Sequence, residues 1–266
     1  MKTAVIIPAR YASTRFPGKP LQPLLGCGGV SKTLIQRSWE AAITAQGVSH
    51  VAVATDDTRI ADHATGFGAD VIMTSSDCRN GTERCADALA QMDGDYDLVV
   101  NLQGDAPLTP AWFVEDLIQA MANTPQADVA TPVLRCDAHA LNGFLEDRKN
   151  GRVGGTTAVF SADNSALYFS KEVIPFTPAP YDGGAETPVF HHVGVYAYRP
   201  AALQKYLALP EGALEVLEGL EQLRFLENNI RIHCVEVDGK GRKFWELNNP
   251  EDIDRIEKIL TELGVE

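Results

Sequence analysis

The sequence predicts an α/β fold in which a mostly parallel sheet is covered by helices on both faces. Two observations indicate this fold. Strand-like and helix-like segments alternate through the first half of the chain, and the strand-like segments are continuous apolar runs. Such runs are typical of strands buried on both faces, and the alternation is typical of parallel strands joined by crossover helices. We therefore expect three layers, with ligands at the carboxyl ends of the strands.

Each element of the first half has its own local signal. The predicted strands are 4–7, 51–54, 71–73 and 98–102, and the predicted helices are 33–46, 59–65 and 81–92. Apolar residues recur at helical spacing in the helices, and Asp57 stands before the second helix as an N-cap. The glycine-rich segment 26–29 lies outside a strand-to-helix turn, so it predicts a hairpin turn rather than a dinucleotide-binding loop.

The second half has a different pattern, because glycine-rich and proline-rich stretches separate shorter elements. The predicted strands are 166–170 and 193–198, and the predicted helices are 214–226, which is acidic and amphipathic, and 250–263. This pattern indicates a smaller, more antiparallel elaboration. We interpret residues 1–266 as a single domain with a first half, 1–135, and a second half, 136–266, that covers the site or forms a dimer contact.

Composition excludes several classes of partner. The chain has 266 residues, 45% of them hydrophobic and 22% charged, which is typical of a globular protein. A net charge of −13 argues against nucleic acid or an anionic membrane surface as a partner. The longest apolar runs are too short to span a bilayer. The five cysteines are scattered without a CxxC pair, which predicts reduced thiols and a cytoplasmic location.

Positive charge is concentrated near the start of this acidic chain. The first 39 residues carry six basic side chains and no acidic one, so the other 227 residues sum to −19. Arg10, Arg15 and Lys19 lie in a Gly/Pro-punctuated loop directly after the first strand. A loop with three cations and two hydroxyls at a strand end is suited to bind a polyanion. We expect a small phosphorylated ligand there, the alternative being a solvated basic loop.

Several common catalytic motifs are missing. The sequence lacks GxxxxGK[ST], GxSxG and HExxH, which disfavours Walker-type NTPases, α/β hydrolases and zinc metalloproteases. His63, His139 and His233 stand alone and are interpreted as surface or core residues. The other strongly polar strand end is Gln103-Gly104-Asp105, where Asp105 could hold a metal ion or cap the following helix.

A longer pattern resembles one family. The segment from Pro8 to Leu21, PARYASTRFPGKPL, closely resembles the opening of the 3-deoxy-manno-octulosonate (Kdo) cytidylyltransferases, the CMP-Kdo synthetases. Further blocks follow in family order over nearly the whole chain: VATDD, GTER, NLQGD, ALYFS, HVGVYAY, LEQLR and PEDI. The resemblance implies a Rossmann-like nucleotidyltransferase fold, usually dimeric, with residues 1–135 as the nucleotide-binding half and residues 136–266 as the sugar-binding and dimerisation half. It also implies a reaction that requires Mg²⁺, in which CTP and an acidic α-keto sugar give CMP-sugar and pyrophosphate.

The resemblance also implies roles for individual residues. The catalytic set is Arg10, Arg15, Lys19 and Asp105, and the nucleotide set adds Pro8, Ala9, Ser13, Thr74, Gly81 and Gln103. The acceptor set is Gln103, Lys171, His192, Tyr196, Glu221 and Gln222, and the metal ligands are Asp105 and Asn248. Residue chemistry agrees, since lysine is a point charge for phosphates and arginine can clamp two oxygens. A Mg²⁺ site needs only one or two carboxylates beside the substrate.

Four positions depart from the family pattern. Ala106 replaces a glutamate, Asn248 replaces an aspartate, Lys171 replaces an arginine, and Thr157 stands where a lysine is usual. The nucleotide loop is intact, whereas the acceptor side and the metal side have changed. We therefore keep three hypotheses: a cytidylyltransferase acting on Kdo, one acting on another acid such as a modified Kdo or a phosphonate, and a catalytically silent nucleotide-binding paralogue.

Overall fold

The structure is a computed structural model that describes residues 1–12, 16–104, 107–153, 155–178, 180–183, 185–242, 247 and 249–266. Over these residues the chain forms a ten-stranded sheet, a separate two-stranded hairpin and nine α-helices. None of the helices in these ranges is long and apolar enough to cross a bilayer.

The strands are β1 (Thr3–Ala9), β2 (Pro23–Leu25), β3 (Ser31–Thr33), β4 (Val48–Thr55), β5 (Asp70–Met73), β6 (Leu98–Leu102), β7 (Val129–Arg135), β8 (Thr156–Phe160), β9 (Ala166–Ser170), β10 (Phe190–His192), β11 (Val195–Tyr198) and β12 (Ile232–Glu236). The helices are α1 (Leu34–Thr44), α2 (Thr58–Gly66), α3 (Gly81–Gln91), α4 (Ala111–Asn123), α5 (Ala138–Lys149), α6 (Pro200–Ala208), α7 (Ala213–Glu218), α8 (Leu223–Glu227) and α9 (Asp252–Glu262).

The first half of the sheet is parallel, as the sequence predicts. Its strands lie in the order β5-β4-β1-β6. Alternate residues of β1 pack on opposite faces: Val5 and Ile7 belong to the core that includes Ile35 of α1, whereas Ile6 belongs to the core that includes Cys85 of α3. Both faces of β1 are buried, which explains its continuous apolar run.

The second half continues the same sheet with antiparallel pairs. β10 and β11 are two parts of one strand, interrupted at Val193 and Gly194, and both pair with β7 on one side. On the other side β11 pairs with β6, whereas β10 pairs with β8. The interruption therefore opens a fork between β6 and β8. The predicted antiparallel elaboration is confirmed.

The predicted helix 214–226 is wrong in one respect, because the structure divides it into α7 and α8. Gly219 ends α7 with φ +61°, in the left-handed region that favours glycine. The side chain of Glu227 accepts the backbone N–H groups of Leu214 and Glu215, both at 3.0 Å. The carboxylate thus binds free N–H groups in the first turn of α7 and folds α8 back onto it. Residues 219–222 become a turn.

Candidate functional site

A cleft of about 610 Å³ lies at the carboxyl ends of β1 and β6 and in the fork between β6 and β8. The structure brings most of the predicted site residues to its wall: Pro8, Ala9, Arg10, Lys19, Gly81, Gln103, Lys171, His192, Tyr196, Glu221 and Gln222. These residues come from both halves of the chain. The predicted nucleotide and acceptor residues therefore meet in one cavity.

One described site residue is not among those that line the cleft. Thr74 lies outside the lining, and its hydroxyl oxygen accepts a 2.5 Å hydrogen bond from Nη1 of Arg84. Four further predicted site residues, Ser13, Arg15, Asp105 and Asn248, lie outside the described residues, as does Ala106. Gly104, which directly precedes Asp105, lines the cleft.

One end of the cleft is formed by the loop that follows β1. Gly18 adopts φ +72°, which permits a tight turn, and its N–H donates to the carbonyl oxygen of Tyr11 at 2.9 Å. Lys19 then begins a short 3₁₀ turn. Arg10 is exposed and forms no ion pair with any other described residue. This end presents positive charge to the cleft.

The opposite wall is built around the carboxylate of Glu221. Its Oε2 accepts the backbone N–H of Thr82 at 3.0 Å, and its Oε1 accepts Nε2 of Gln103 at 2.8 Å. Thr82 lies in the first turn of α3, where the helix dipole favours a negative charge. Glu221 therefore ties the turn 219–222 to α3 and fixes the orientation of the Gln103 amide.

Gln222 contributes a buried amide to the same wall. Its side chain is only 2% exposed, and its Oε1 accepts the Tyr196 hydroxyl at 3.1 Å. Its Nε2 has no hydrogen-bond partner in the part of the chain that the structure describes. A buried amide is normally satisfied by protein, water or ligand. Gln222 is therefore a hydrogen-bond donor suited to a ligand in the cleft.

His192 is a neutral residue of the wall. Its Nε2 lies 2.9 Å from Oγ1 of Thr131, whose single proton is directed to the carbonyl oxygen of Val195 at 2.8 Å. We therefore assign the imidazole proton to Nε2. Burial, assisted by the neighbouring His191, lowers the pKa of His192 to about 3. At neutral pH this residue can donate or accept a hydrogen bond but cannot supply a cation.

Lys171 supplies positive charge at the end of the cleft beside the turn 219–222. Its backbone N–H donates to Oε2 of Glu218 at 2.9 Å, and its ammonium approaches the Cα of Gly219, where an added Cβ would lie only 2.9 Å from Nζ. Lys171 forms no ion pair within the described ranges. Thr156 lines the cleft, whereas Thr157 is buried and donates its hydroxyl to the carbonyl oxygen of Glu172 at 2.6 Å. The position where the family pattern has a lysine is therefore not part of the described wall.

Known proteins resemble this chain along most of its length. A family model described as cytidylyltransferase matches residues 4–232. The 3-deoxy-manno-octulosonate cytidylyltransferase of Maricaulis maris is 42% identical over 264 residues, covering 99% of both chains. The chain belongs to the 3-deoxy-manno-octulosonate cytidylyltransferase family. It is thus a nucleotidyltransferase, as the sequence motifs predict.

Further known proteins resemble the chain in sequence or in fold. The enzyme of the same description from Zea mays is 40% identical, covering 96% of this chain and 80% of its own. A solved CMP:2-keto-3-deoxy-manno-octonic acid synthetase, complexed with CTP, is 33% identical with a TM-score of 0.81, covering 99% of this chain and all of that one. A 4-diphosphocytidyl-2C-methyl-D-erythritol synthase from Anaerococcus prevotii, 14% identical with a TM-score of 0.59, shares the fold.

Sequence reasoning missed one prominent residue of this family member. Arg84 lines the cleft although its side chain is only 3% exposed. Its guanidinium bonds to Thr74 and lies 3.3 Å from the carboxylate of Asp56, which follows β4. Asp56 and Arg84 stand in the quoted sequence blocks and Thr74 is in the predicted nucleotide set, but their contact joins segments that are separated along the chain. A buried arginine that touches a cleft is a recognisable signal only once the fold is known.

A second missed feature is the buried ion cluster behind the turn 219–222. Arg224 is fully buried and donates to both carboxylate oxygens of Glu215, at 2.6 and 2.7 Å, and to Glu83 of α3 at 3.2 Å. Its guanidinium also stacks on the Tyr206 ring of α6. The cluster joins α3, α6, α7 and α8, so it holds the turn 219–222 against α3.

Proposed function

We propose that this protein transfers the cytidylyl group of CTP to Kdo and releases pyrophosphate. The observation that carries the proposal is the single cleft that holds Arg10 and Lys19 at one end and Lys171 and Gln222 at the other. A triphosphate and an acid sugar need such separated cationic ends. The relatives named for Kdo cytidylyl transfer, and the solved relative complexed with CTP, support this choice of substrates.

The nucleotide end is suited to the phosphates and the base of CTP. We assign Arg10, Arg15 and Lys19 to the triphosphate, because cations after a strand end neutralise phosphate oxygens. Pro8, Ala9, Ser13 and Gly81 would complete this end of the cleft. Arg84 would donate to the pyrimidine, with Thr74 holding its guanidinium in place.

The proposed chemistry requires positioning and charge stabilisation rather than a covalent intermediate. A hydroxyl oxygen of the sugar attacks the α-phosphorus and releases its proton. The bond from that phosphorus to the bridging oxygen breaks, and pyrophosphate leaves with the electron pair. Negative charge grows on the departing pyrophosphate, where the lysine and arginine side chains stabilise it.

The acceptor end is suited to a carboxylate and to hydroxyl groups. We assign Lys171 and the unpartnered Nε2 of Gln222 to the sugar carboxylate. Neutral His192, Tyr196 and Gln103 would hydrogen-bond the sugar hydroxyls, with Glu221 fixing the Gln103 amide. A preorganised wall of this kind holds the attacking hydroxyl in place at little entropic cost.

Mg²⁺ is the cofactor that we propose, with Asp105 and Asn248 as its protein ligands. In the described ranges no three His, Cys, Asp or Glu side chains form a metal site. A carboxylate and an amide oxygen fit Mg²⁺, which takes most of its other ligands from phosphates and water. When bound, the ion would neutralise charge on the triphosphate oxygens. Asp105→Asn should then abolish turnover, and Asn248→Asp should lower the Mg²⁺ concentration that gives half activity.

Pyrophosphate release from CTP and Mg²⁺ with Kdo tests the proposal directly. Fast release with Kdo supports it. Faster release with another acid in a panel of keto-acid sugars and phosphonates would show a changed acceptor. CTP binding without release for any acceptor would show a catalytically silent paralogue.

The changed-acceptor hypothesis has one observation in its favour. Lys171 stands where the family pattern has an arginine, and a lysine cannot form the planar bidentate clamp of an arginine on a carboxylate. A site that holds the carboxylate less tightly would accept a different acid. Competition between Kdo and other acids therefore belongs in the first experiment.

We also propose that the protein is a cytoplasmic homodimer, with residues 1–135 binding CTP and residues 136–266 binding the acceptor and the partner copy. Large apolar side chains of the second half are exposed, namely Leu167 at 63%, Phe176 at 87% and Leu217 at 81%. Exposed apolar groups of this size favour a protein contact. All five cysteines are free thiols, which suits the cytoplasm. Light scattering would measure the mass, which Phe176→Ser should reduce if Phe176 lies in the interface.

A further inference from the structure

Arg59 makes its main contacts outside its own helix. It lies in the first turn of α2, and its guanidinium carbon is 3.3 Å from the centroid of the Tyr11 ring. Its Nε and Nη2 donate to the two carboxylate oxygens of Asp57, at 2.9 and 2.6 Å. The carboxylate thus holds the guanidinium plane in a fixed orientation over the aromatic ring.

Tyr11 in turn touches the residue that precedes Lys19. A Cβ at Gly18 would lie 3.0 Å from Cε2 of the Tyr11 ring, so the ring packs closely against the Gly18 backbone. The N–H of Gly18 donates to the carbonyl oxygen of Tyr11 at 2.9 Å. Tyr11 therefore joins the two ends of the cationic loop and contacts α2 at the same time.

Neither helix stability nor ligand contact accounts for Arg59. A cation near a helix N-terminus interacts unfavourably with the helix dipole, so Arg59 does not strengthen α2. Its side chain is 58% exposed, so it adds little to the core, and it is not among the residues that line the cleft. The contacts that distinguish it are those with Asp57 and Tyr11.

We propose that Arg59 is a positioning residue that orders, through Tyr11, the two described ends of the triphosphate loop, residues 10–12 and 16–19. The inference rests on the proposed use of CTP. A loop already held in its binding conformation loses less conformational entropy when the nucleotide binds. Removing the Arg59 stack should therefore weaken CTP binding while leaving the acceptor end unchanged.

A double-mutant cycle on CTP affinity tests this step. Calorimetry with excess Mg²⁺ would compare the parent, Arg59→Ala, Tyr11→Leu and the double variant. A cation–π contact at an exposed position predicts about a two- to fivefold weaker affinity for Arg59→Ala. In the Tyr11→Leu background the same change should have almost no effect, because the ring is already absent.

Arg135→Ala is the matched control. Its guanidinium is also held by a carboxylate, that of Glu236 at 3.1 Å, and lies over the Phe190 ring, 4.4 Å from the centroid, but outside the cleft lining. The Arg135→Ala variant should bind CTP as tightly as the parent protein does. In turnover assays Arg59→Ala should raise KM for CTP and leave kcat and the acceptor KM unchanged, a split that mere loss of fold would not produce.

Several outcomes would overturn the inference. An unchanged CTP affinity in Arg59→Ala would do so. An equal loss of affinity in the parent and in the Tyr11→Leu background would also do so, because it would mean that Arg59 acts by charge alone. In either case the parent still binds CTP, and the proposed function stands. A parent that does not bind CTP would overturn the proposed function and this inference together.

Discussion

The two ends of the cleft are built in opposite ways. At the loop end, the Arg10 side chain is exposed and forms no ion pair among the described residues. At the other end, Glu221 bonds to Thr82 and Gln103, and Gln222 bonds to Tyr196. One end offers charge on a loop, and the other offers a hydrogen-bonded wall of fixed shape.

The difference shows how each end can discriminate. A loop of cations binds any polyanion of suitable size, and salt weakens that attraction. A buried wall of fixed shape rejects ligands that leave a polar group such as Gln222 Nε2 without a partner. We therefore expect nucleotide binding to depend on charge and acceptor choice to depend on individual side chains.

Among substitutions of the described cleft residues, the largest effect should come from Lys19→Ala. Loss of one preorganised charge on the triphosphate should lower kcat by about a hundredfold or more. Folding should be retained, because Lys19 lies in a polar loop. The matched control is Lys32→Ala, which removes a lysine paired with Glu40 outside the cleft lining and should keep parental turnover. Near-parental turnover of Lys19→Ala, measured by pyrophosphate release, would contradict a triphosphate site at this loop.

Gln222→Ala should have the next largest effect, and at the opposite end. A lost hydrogen bond to a charged group corresponds to about a tenfold to hundredfold decrease in kcat/KM for the acceptor. CTP affinity should not change, since the cationic loop is untouched. Gln204→Ala, an exposed amide on α6 outside the cleft lining, is the control. Equal losses for CTP and acceptor would show that the two ends are not separable.

His192 should make the fold sensitive to acid. Its pKa of about 3 in the folded protein lies below the ordinary value of 6.5. The unfolded chain therefore binds a proton first, and the stability contributed by neutral His192 is lost as pH falls below 6.5 towards 3. At pH 5.5 the loss is about 1.4 kcal/mol in the free energy of unfolding. In denaturant titrations across this range, the free energy of unfolding should depend less steeply on pH for His192→Gln than for the parent. The same pH dependence in both proteins would contradict the prediction.

Lys171→Arg should have the smallest effect, about threefold. If the clamp on the acceptor carboxylate sets the preference, a planar bidentate donor should shift competition between Kdo and other acids towards Kdo. The measurement is the ratio of products from mixed acceptors. The same ratio in parent and variant would remove the argument for a changed acceptor at this position.

Most elements that carry the loop end could be predicted, because their signals are local. The continuous apolar runs of β1, β4 and β6 indicate strands buried on both faces, and Asp57 caps α2 as its position predicts. In a parallel sheet the carboxyl ends of these strands meet at one edge. The pattern alone therefore predicts that residues 10 and 103 line the same cleft.

The wall formed by Glu221 and Gln222 was less predictable, because its contacts join residues that are distant in sequence. Local helical spacing favours one helix over 214–226, and only the contact of Glu227 with the start of α7 folds the segment back. Glu221 accepts hydrogen bonds from Thr82, which is 139 residues away in sequence, and from Gln103, which is 118 residues away. No local propensity encodes such pairs.

By itself, the sequence determined the family, the parallel half of the sheet and the strand ends that meet at the cleft. These features depend on apolar periodicity, caps and contiguous motifs, which are properties of neighbouring residues. The tertiary structure alone decided that Glu221 binds protein donors, that Gln222 keeps an amide nitrogen without a described partner, and that His192 is neutral. Those properties depend on burial and on partners from remote segments, which exist only when the chain is folded.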